Sequence, residues 1–455
     1  MSRYSPYPAY DDNGFPNHWK AMRLRFAVTL NPSKNEITLS DSELVSFIPM
    51  DAVGEYGGIR LDEDKELAQI GSGYTYFRDN DVVVAKITPC FENGKGAIAK
   101  GLANGCAFGT TELHVLRVDL DLLDPDFLFY VTVSDWFRDL GESEMYGAGG
   151  QKRVPEDFIK DLITGIPPQG EQQAIVDFLN YKTTQIDSLI AKKQLLLGKL
   201  TEQRTAVISD AVTKGLNPSV PMKDSGVDWV GEIPAHWTVP ILGYIAEVRG
   251  GVAKGRKLPN EETVEVPYLR VANVQDGFID LSHVTNIEIL ATELERYSLK
   301  TGDVLMNEGG DNDKLGRGAV WKGEIDPCLH QNHVFAVRPR IPEFSDWLAL
   351  LTQSGYAKFY FFTTAKQSTN LASISSSNIK KLPVLLPPET ERREIIDHVK
   401  TSLDKLTKQR ERVIQVIERL KEYRSALITN AVTGKIDVRD FCIPTTTEQR
   451  EVAHG

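Results

Sequence analysis

Two long apolar stripes set the organisation of this chain. Val399, Leu403, Leu406, Val413, Ile417, Leu420 and Leu427 fall at alternating intervals of four and three, with Arg410 and Arg424 filling two positions of the same seam. That period keeps one face of a helix turned toward a partner over many turns. Ile186, Leu189, Leu196, Leu200 and Val207 obey the same rule earlier in the chain, with Lys193 and Gln203 at the polar breaks. No proline interrupts either run; Pro167-Pro168 and Pro387-Pro388 precede them, and Gly215 and Gly434 stand where C-terminal caps belong. Each predicted helix spans on the order of 50–60 Å at 1.5 Å per residue. Two equal seams in one chain can pack on each other, and an antiparallel pair would hold the two globular parts at opposite ends. Packing of each stripe on its own globular part is the alternative, but heptads of this length exceed an ordinary globular helix.

The stripes belong to a duplicated unit. Ile166-Pro167-Pro168 through Ala211-Val212-Thr213 returns about 220 residues later as Leu386-Pro387-Pro388 through Ala431-Val432-Thr433, with Glu171 on Glu391, Ile175 on Ile395, Asp177 on Asp397, and Arg204 on Arg424. The segments before the helices repeat too. Pro16, His18 and Trp19 recur as Pro234, His236 and Trp237, Asp81-Val82 as Asp303-Val304, and Gly94-Lys95-Gly96 as Gly316-Arg317-Gly318. Each half is therefore read as a globular part followed by a helix. Short β-rich stretches such as Asp81 to Ile87, Glu112 to Val118 and Val334 to Val337 accompany one amphipathic helix per copy, Asp126 to about Leu140 and Ser345 to about Tyr360. The fold class is α+β.

Composition adds limits. With 41% hydrophobic and 25% charged residues among 455, the chain can bury real cores. The absence of a long apolar run, and of a signal-like Met1 to Tyr10, predicts a cytoplasmic protein. Cys90, Cys106, Cys328 and Cys442 lie far apart, so buried reduced thiols are expected rather than a zinc site or disulfides. A net charge of −11 argues against indiscriminate nucleic-acid binding and directs attention to local patches.

Three kinds of loop are candidates for such contact. The stretch from Arg249 to Lys257 carries Arg249, Lys254, Arg256 and Lys257, no acid, and three glycines, a composition that brings backbone and cations close to phosphates. A mobile solvated loop would have the same composition. Lys86, Lys95 and Lys100 surround the first Gly-x-Gly turn, and Lys314, Arg317 and Lys322 the second. Those glycines suit tight turns, since neither copy forms a Gly-x-Gly-x-x-Gly or Walker sequence. The third kind lies before each Pro-Pro: Gln151, Lys152 and Arg153 in one copy, Lys366 and Gln367 in the other, with amides suited to adenine and cations to guanine, although ordinary loop chemistry also explains them.

Catalytic candidates are poor. No Asn-Pro-Pro-Tyr-like element is present for a flipped adenine, and Asp62-Glu63-Asp64-Lys65-Glu66 stands alone in a hydrophilic stretch, as a solvated face would. His18 and His236, each beside a Trp, fit packing or hydrogen-bonding roles.

Asp224-Ser225-Gly226-Val227-Asp228-Trp229 through Pro234-Ala235-His236-Trp237, followed by a globular stretch, Leu386-Pro387-Pro388 and a helix ending Ala431-Val432-Thr433-Gly434-Lys435, closely resembles the specificity subunit of type I restriction-modification enzymes. The N-terminal copy departs from that pattern, Tyr10 to Phe15 keeping a loose likeness. The resemblance implies target-recognition domains at 1–165 and 216–385, conserved spacer helices at 166–215 and 386–440, and a tail at 441–455. It further implies an antiparallel coiled coil with pseudo-two-fold symmetry, packed through Ile186, Leu189, Leu196, Leu200, Leu403, Leu406, Val413, Ile417 and Leu420. By it the chain is a non-catalytic reader of a split, asymmetric DNA sequence that docks two modification subunits and, in some assemblies, two restriction subunits. S-adenosylmethionine, ATP and Mg would then be bound by those partners. A DNA-independent coiled-coil scaffold and a self-sufficient nuclease or methyltransferase are the rival readings.

Overall fold

A computed structural model describes residues 4–148, 150–256, 262–310, 315–367 and 372–443. The chain forms two compact units. One holds the described residues up to Lys193 together with those from Gln415 onward, and the other holds the described residues of Gln194–Ile414. Both long helices cross this division, so each unit contains a globular domain, part of one helix and part of the other. The helices run Gln169–Lys214 and Glu389–Val432, about 69 and 66 Å at 1.5 Å per residue. They exceed the expected length because each starts directly after its Pro-Pro and buries its first turns in its own domain.

The two domains share a plan. In the first, an antiparallel sheet runs in the order Val28–Leu30, Leu113–Val118, Val82–Ala85, Gly96–Ile98. In the second the same order is Ala246–Gly250, Val334–Pro339, Val304–Asn307, Gly318–Val320. Each has a further sheet with one parallel pair, Leu44–Ile48 beside Cys106–Gly109 and Thr263–Leu269 beside Leu329–His330. The central strands are largely apolar, as strands covered on both faces are.

A buried clamp recurs at the same register. Asp81, 1% exposed, receives Arg117 through Nε and Nη2 at 2.7 Å each, and Asp303, also 1% exposed, receives Arg338 in the same way at 2.7 Å each. A planar guanidinium fills both carboxylate oxygens and leaves little unpaired charge in the core.

The single amphipathic helix expected in each copy is two helices. Pro125–Thr132 is followed by Asp135–Ser143, and Ser345–Thr352 by Gly355–Thr364. The break falls where Ser134 accepts from the Phe137 amide and Ser354 from the Ala357 amide. A hydroxyl that caps a new helix ends the old one.

Within the first unit the start of the first long helix runs antiparallel to the end of the second. Ile186, Leu427 and Ile428 are buried in one core with Ile190 and Leu420 against it, and Arg424 Nε reaches Asp187 at 3.1 Å. Along the second helix Val399, Leu406, Ile417 and Leu427 are buried and Leu403, Val413 and Leu420 half-buried, while Arg410 is exposed. The first helix shows a different phase. Ile186 and Leu200 are buried as expected, but Leu189 is 45% and Leu196 37% exposed, and Ile190 and Leu197 take the half-buried positions. Neighbouring apolar pairs at 189–190 and 196–197 make two phases equally hydrophobic. The anchoring of Leu179 and Thr183 in the domain selects the second, because 179, 183, 186 and 190 continue one stripe.

Each helix end meets its domain through a repeated joint. Trp19 Nε1 donates to Glu171 at 2.9 Å and His18 Nε2 lies 2.8 Å from it; Trp237 Nε1 and His236 Nε2 bind Glu391 at 3.1 and 2.6 Å. The cap glycines stand at φ +68° for Gly434 and +70° for Gly215, and a Cβ at either would lie 3.2 Å from Trp19 or 3.3 Å from Trp237. The histidines are thus structural, as their repetition beside tryptophan indicates. Among the described residues no helix is long and apolar enough to cross a membrane.

Candidate nucleic-acid interface

The amide-bearing segments before the Pro-Pro stops occupy one place in both domains. In the first, Tyr146 and Arg153 exchange backbone bonds at 3.2 and 2.9 Å, and the Val154 amide donates to the Lys86 carbonyl at 2.9 Å. In the second, Lys366–Gln367 pairs with Ala372–Ser373, and the Ile374 amide donates to the Glu308 carbonyl at 2.8 Å. Each segment is a small hairpin laid beside the chain leaving a central strand, and a third stretch bonds to the same residue: Lys86 N to Glu112 O at 2.9 Å, Glu308 N to His333 O at 2.9 Å. These bonds bring together Lys86, Glu112, Gln151, Lys152 and Arg153 in one domain, and Glu308, Asn332, His333 and Lys366 in the other.

The side chains there are built differently. Arg153 donates through Nε at 2.9 Å and Nη2 at 2.7 Å to the two oxygens of Glu112. The Arg153 hydrogen bonds hold the Glu112 carboxyl below the usual carboxylate range, and Glu112 in turn holds the guanidinium above its own. His333 Nδ1 lies 2.7 Å from Glu308 Oε2, and Asn332 Nδ2 lies 3.4 Å from His333 Nε2. Gln151, Lys152 and Lys366 are exposed, and Tyr146 is 65% exposed at the hairpin entry.

The remaining predicted cations do not form one patch. Lys95 Nζ donates to the Met50 carbonyl at 3.1 Å, and Lys100, at the opposite end of its strand, pairs with Asp126 at 3.2 Å. Lys322 is exposed beyond Gly318–Val320, whereas Arg317 stands at the Asn307 end and donates to Gln275 at 3.2 Å. The glycine-rich stretch is likewise divided. Arg256 forms a two-pronged ion pair with Glu293, Arg249 donates to the Arg296 carbonyl at 2.7 Å, and Lys254 is exposed. Lys257 and Lys314 lie outside the described residues, as does the side chain of Gln367. An arginine already neutralised by a carboxylate has less charge to offer an anion than an exposed lysine has.

Sequence reasoning missed Glu112, Glu293, Glu308, Asn332 and His333. The partners of Glu112, Glu293 and Glu308 lie 41, 37 and 25 residues away, and no spacing rule joins them. Two histidines nearby are buried. His114 and His330 fall below their ordinary range through burial, His114 Nε2 contacting the Val154 carbonyl at 2.9 Å and His330 Nδ1 the Val334 carbonyl at 2.7 Å. Among the described residues no group of three or more His, Cys, Asp or Glu is placed to hold a metal. Of the four cysteines, Cys106 and Cys328 are buried, Cys90 is half-buried, and Cys442 is exposed, against the expectation that all four are buried.

No family model matches the chain. It is 39% identical over 203 residues to the type I restriction enzyme EcoEI specificity subunit of Escherichia coli, a match spanning 42% of this chain and 34% of that one. It is 27% identical over 468 aligned positions to the EcoAI specificity subunit of E. coli, covering 84% of this chain and 77% of that one. A solved chain described under complex assembly and conformational transition of the type I R-M system shares the fold, with a TM-score of 0.69 at 16% identity over 94% of this chain and all of that one. A duplicated domain with a long helix after each copy, matched over part of its length by one relative and over most of it by the other, makes the chain similar to the specificity subunits of type I restriction-modification enzymes.

Proposed function

We propose that this chain is a non-catalytic DNA-recognition subunit that reads a bipartite, asymmetric duplex target and docks two modification subunits, and restriction subunits where the system has them. The observation that carries the reading is the repeated hairpin edge: one backbone arrangement, present in both domains, displays different exposed side chains. Two readers of one shape but unlike chemistry select two unlike half-sites.

Exposed lysines such as Lys152, Lys254 and Lys366 supply a sequence-blind, salt-dependent attraction to phosphates. Planar amides and guanidinium groups at the hairpin edges supply base choice. The length of the helices sets the gap between the half-sites. Leu189, Leu195 and Leu196, exposed at 45%, 63% and 37%, give the first long helix an apolar outer face suited to helices of the modification subunits. S-adenosylmethionine, ATP and Mg belong to those partners in this reading.

The test is native mass and DNA binding of the chain co-purified with the methyltransferase subunit encoded beside it. Two methyltransferase copies per chain and salt-dependent, sequence-selective binding are expected. A chain that stays alone, or that binds all duplexes equally, contradicts the proposal.

A further inference from the structure

The two domains share one backbone arrangement at the hairpin edge and present different exposed chemistry there. Lys86 and Glu308 hold the same place after a central strand, each closed on one side by the chain entering the next strand and on the other by the hairpin. Glu112 and His333 are equivalent by those bonds, and so are Arg153 and Ser373. In the first domain the exposed planar group is therefore an arginine on the hairpin. In the second the hairpin offers a serine, and the planar group, Asn332, comes from the opposite side.

Both groups are held by a neighbour that leaves a reading edge open. Glu112 takes the Nε and Nη2 edge of Arg153, whose side chain remains 39% exposed. Nη1 and the second Nη2 hydrogen then form a donor pair, the pattern that fits guanine O6 and N7. The carboxylate fixes the plane, so less rotamer freedom is lost on contact. In the second domain the Glu308 carboxylate accepts from His333 Nδ1 at 2.7 Å, which turns Nε2 toward the Asn332 amide nitrogen at 3.4 Å. One Asn332 N–H is thereby used, and its oxygen with the other N–H forms the acceptor and donor pair that fits adenine N6 and N7.

We propose that Arg153, positioned by Glu112, selects guanine in one half-site, that Asn332, positioned by His333 and Glu308, selects adenine in the other, and that the target's asymmetry arises at this shared position. The inference rests on the bipartite reading above.

Selection from random duplex DNA with the full chain and its co-purified methyltransferase subunit tests it. In Arg153→Gln the guanine preference at one position of one block falls on the order of ten- to hundredfold, the discrimination of one bidentate pair, while the other block is unchanged. Asn332→Ala gives the mirror result at an adenine. Glu112→Gln weakens the same guanine preference without moving it, as a positioning residue would. Retention of the wild-type bases in Arg153→Gln and Asn332→Ala overturns the assignment, as does loss of both blocks in Arg153→Gln and Arg153→Lys alike, which would make Arg153 structural. Absence of two blocks in the wild type overturns the bipartite reading itself, so the two failures are distinct.

Discussion

Replacing Arg338 by methionine removes one half of the buried clamp and keeps most of its volume. Asp303 then retains the Lys300 amide at 2.8 Å but loses both guanidinium bonds at 2.7 Å, in a position 1% exposed to water. Breaking a buried pair from one side costs about 3–5 kcal/mol, because the remaining charge is neither solvated nor paired. For a unit of this size that lowers the melting temperature by about 6–20 °C. Calorimetry of the full chain reads the shift, and Arg117→Met repeats the measurement against Asp81 in the other unit. The double variant Asp303→Leu with Arg338→Met should return to within about 2 kcal/mol of wild type, since a packed apolar pair replaces the ion pair. A single variant within about 1 kcal/mol of wild type would refute the claim that the clamp is a desolvated pair.

Three further outcomes follow from the same geometry. In urea unfolding, Ile190→Asp destabilises the first unit by at least about 2 kcal/mol, whereas Leu189→Asp changes stability by no more than about 0.5 kcal/mol; equal effects would restore the predicted seam phase. Lys254→Ala lowers the slope of log affinity against log salt by about 1, and the charge-balanced Arg256→Ala with Glu293→Ala leaves it unchanged; a reversed ranking would return the phosphate contact to Arg256. Iodoacetamide at about pH 8 labels Cys442 in the native chain but spares Cys106 and Cys328, whose thiols burial pushes up to about 11 and about 12. Labelling of Cys328 at the rate of Cys442, read by mass spectrometry, would contradict that burial.

Patterns that repeat within the chain were legible in the sequence. The duplication pointed to two domains and two long helices, and the alternation of four and three gave the second helix a single phase because its apolar residues occur in one phase only. The first helix offered Leu189 beside Ile190 and Leu196 beside Leu197, so periodicity could not choose between phases; the attachment of Leu179 to the domain core does so. Ser134 and Ser354 recur at equivalent points, and reading them as caps would have divided each amphipathic helix. The pairing of Arg153 with Glu112 and of Arg256 with Glu293 depends on contacts between residues 41 and 37 apart in the chain, which composition cannot reveal. Hence a loop rich in cations was recognised, but not which of its charges were already satisfied.

The central claim, that two domains of one shape read two different half-sites, meets its most direct test in selection from random duplex DNA by the wild-type chain with its methyltransferase subunit. The account predicts two short unlike blocks at one fixed spacing, with enrichment that weakens as salt rises. A single block, two identical blocks, or no enrichment at low salt would contradict it.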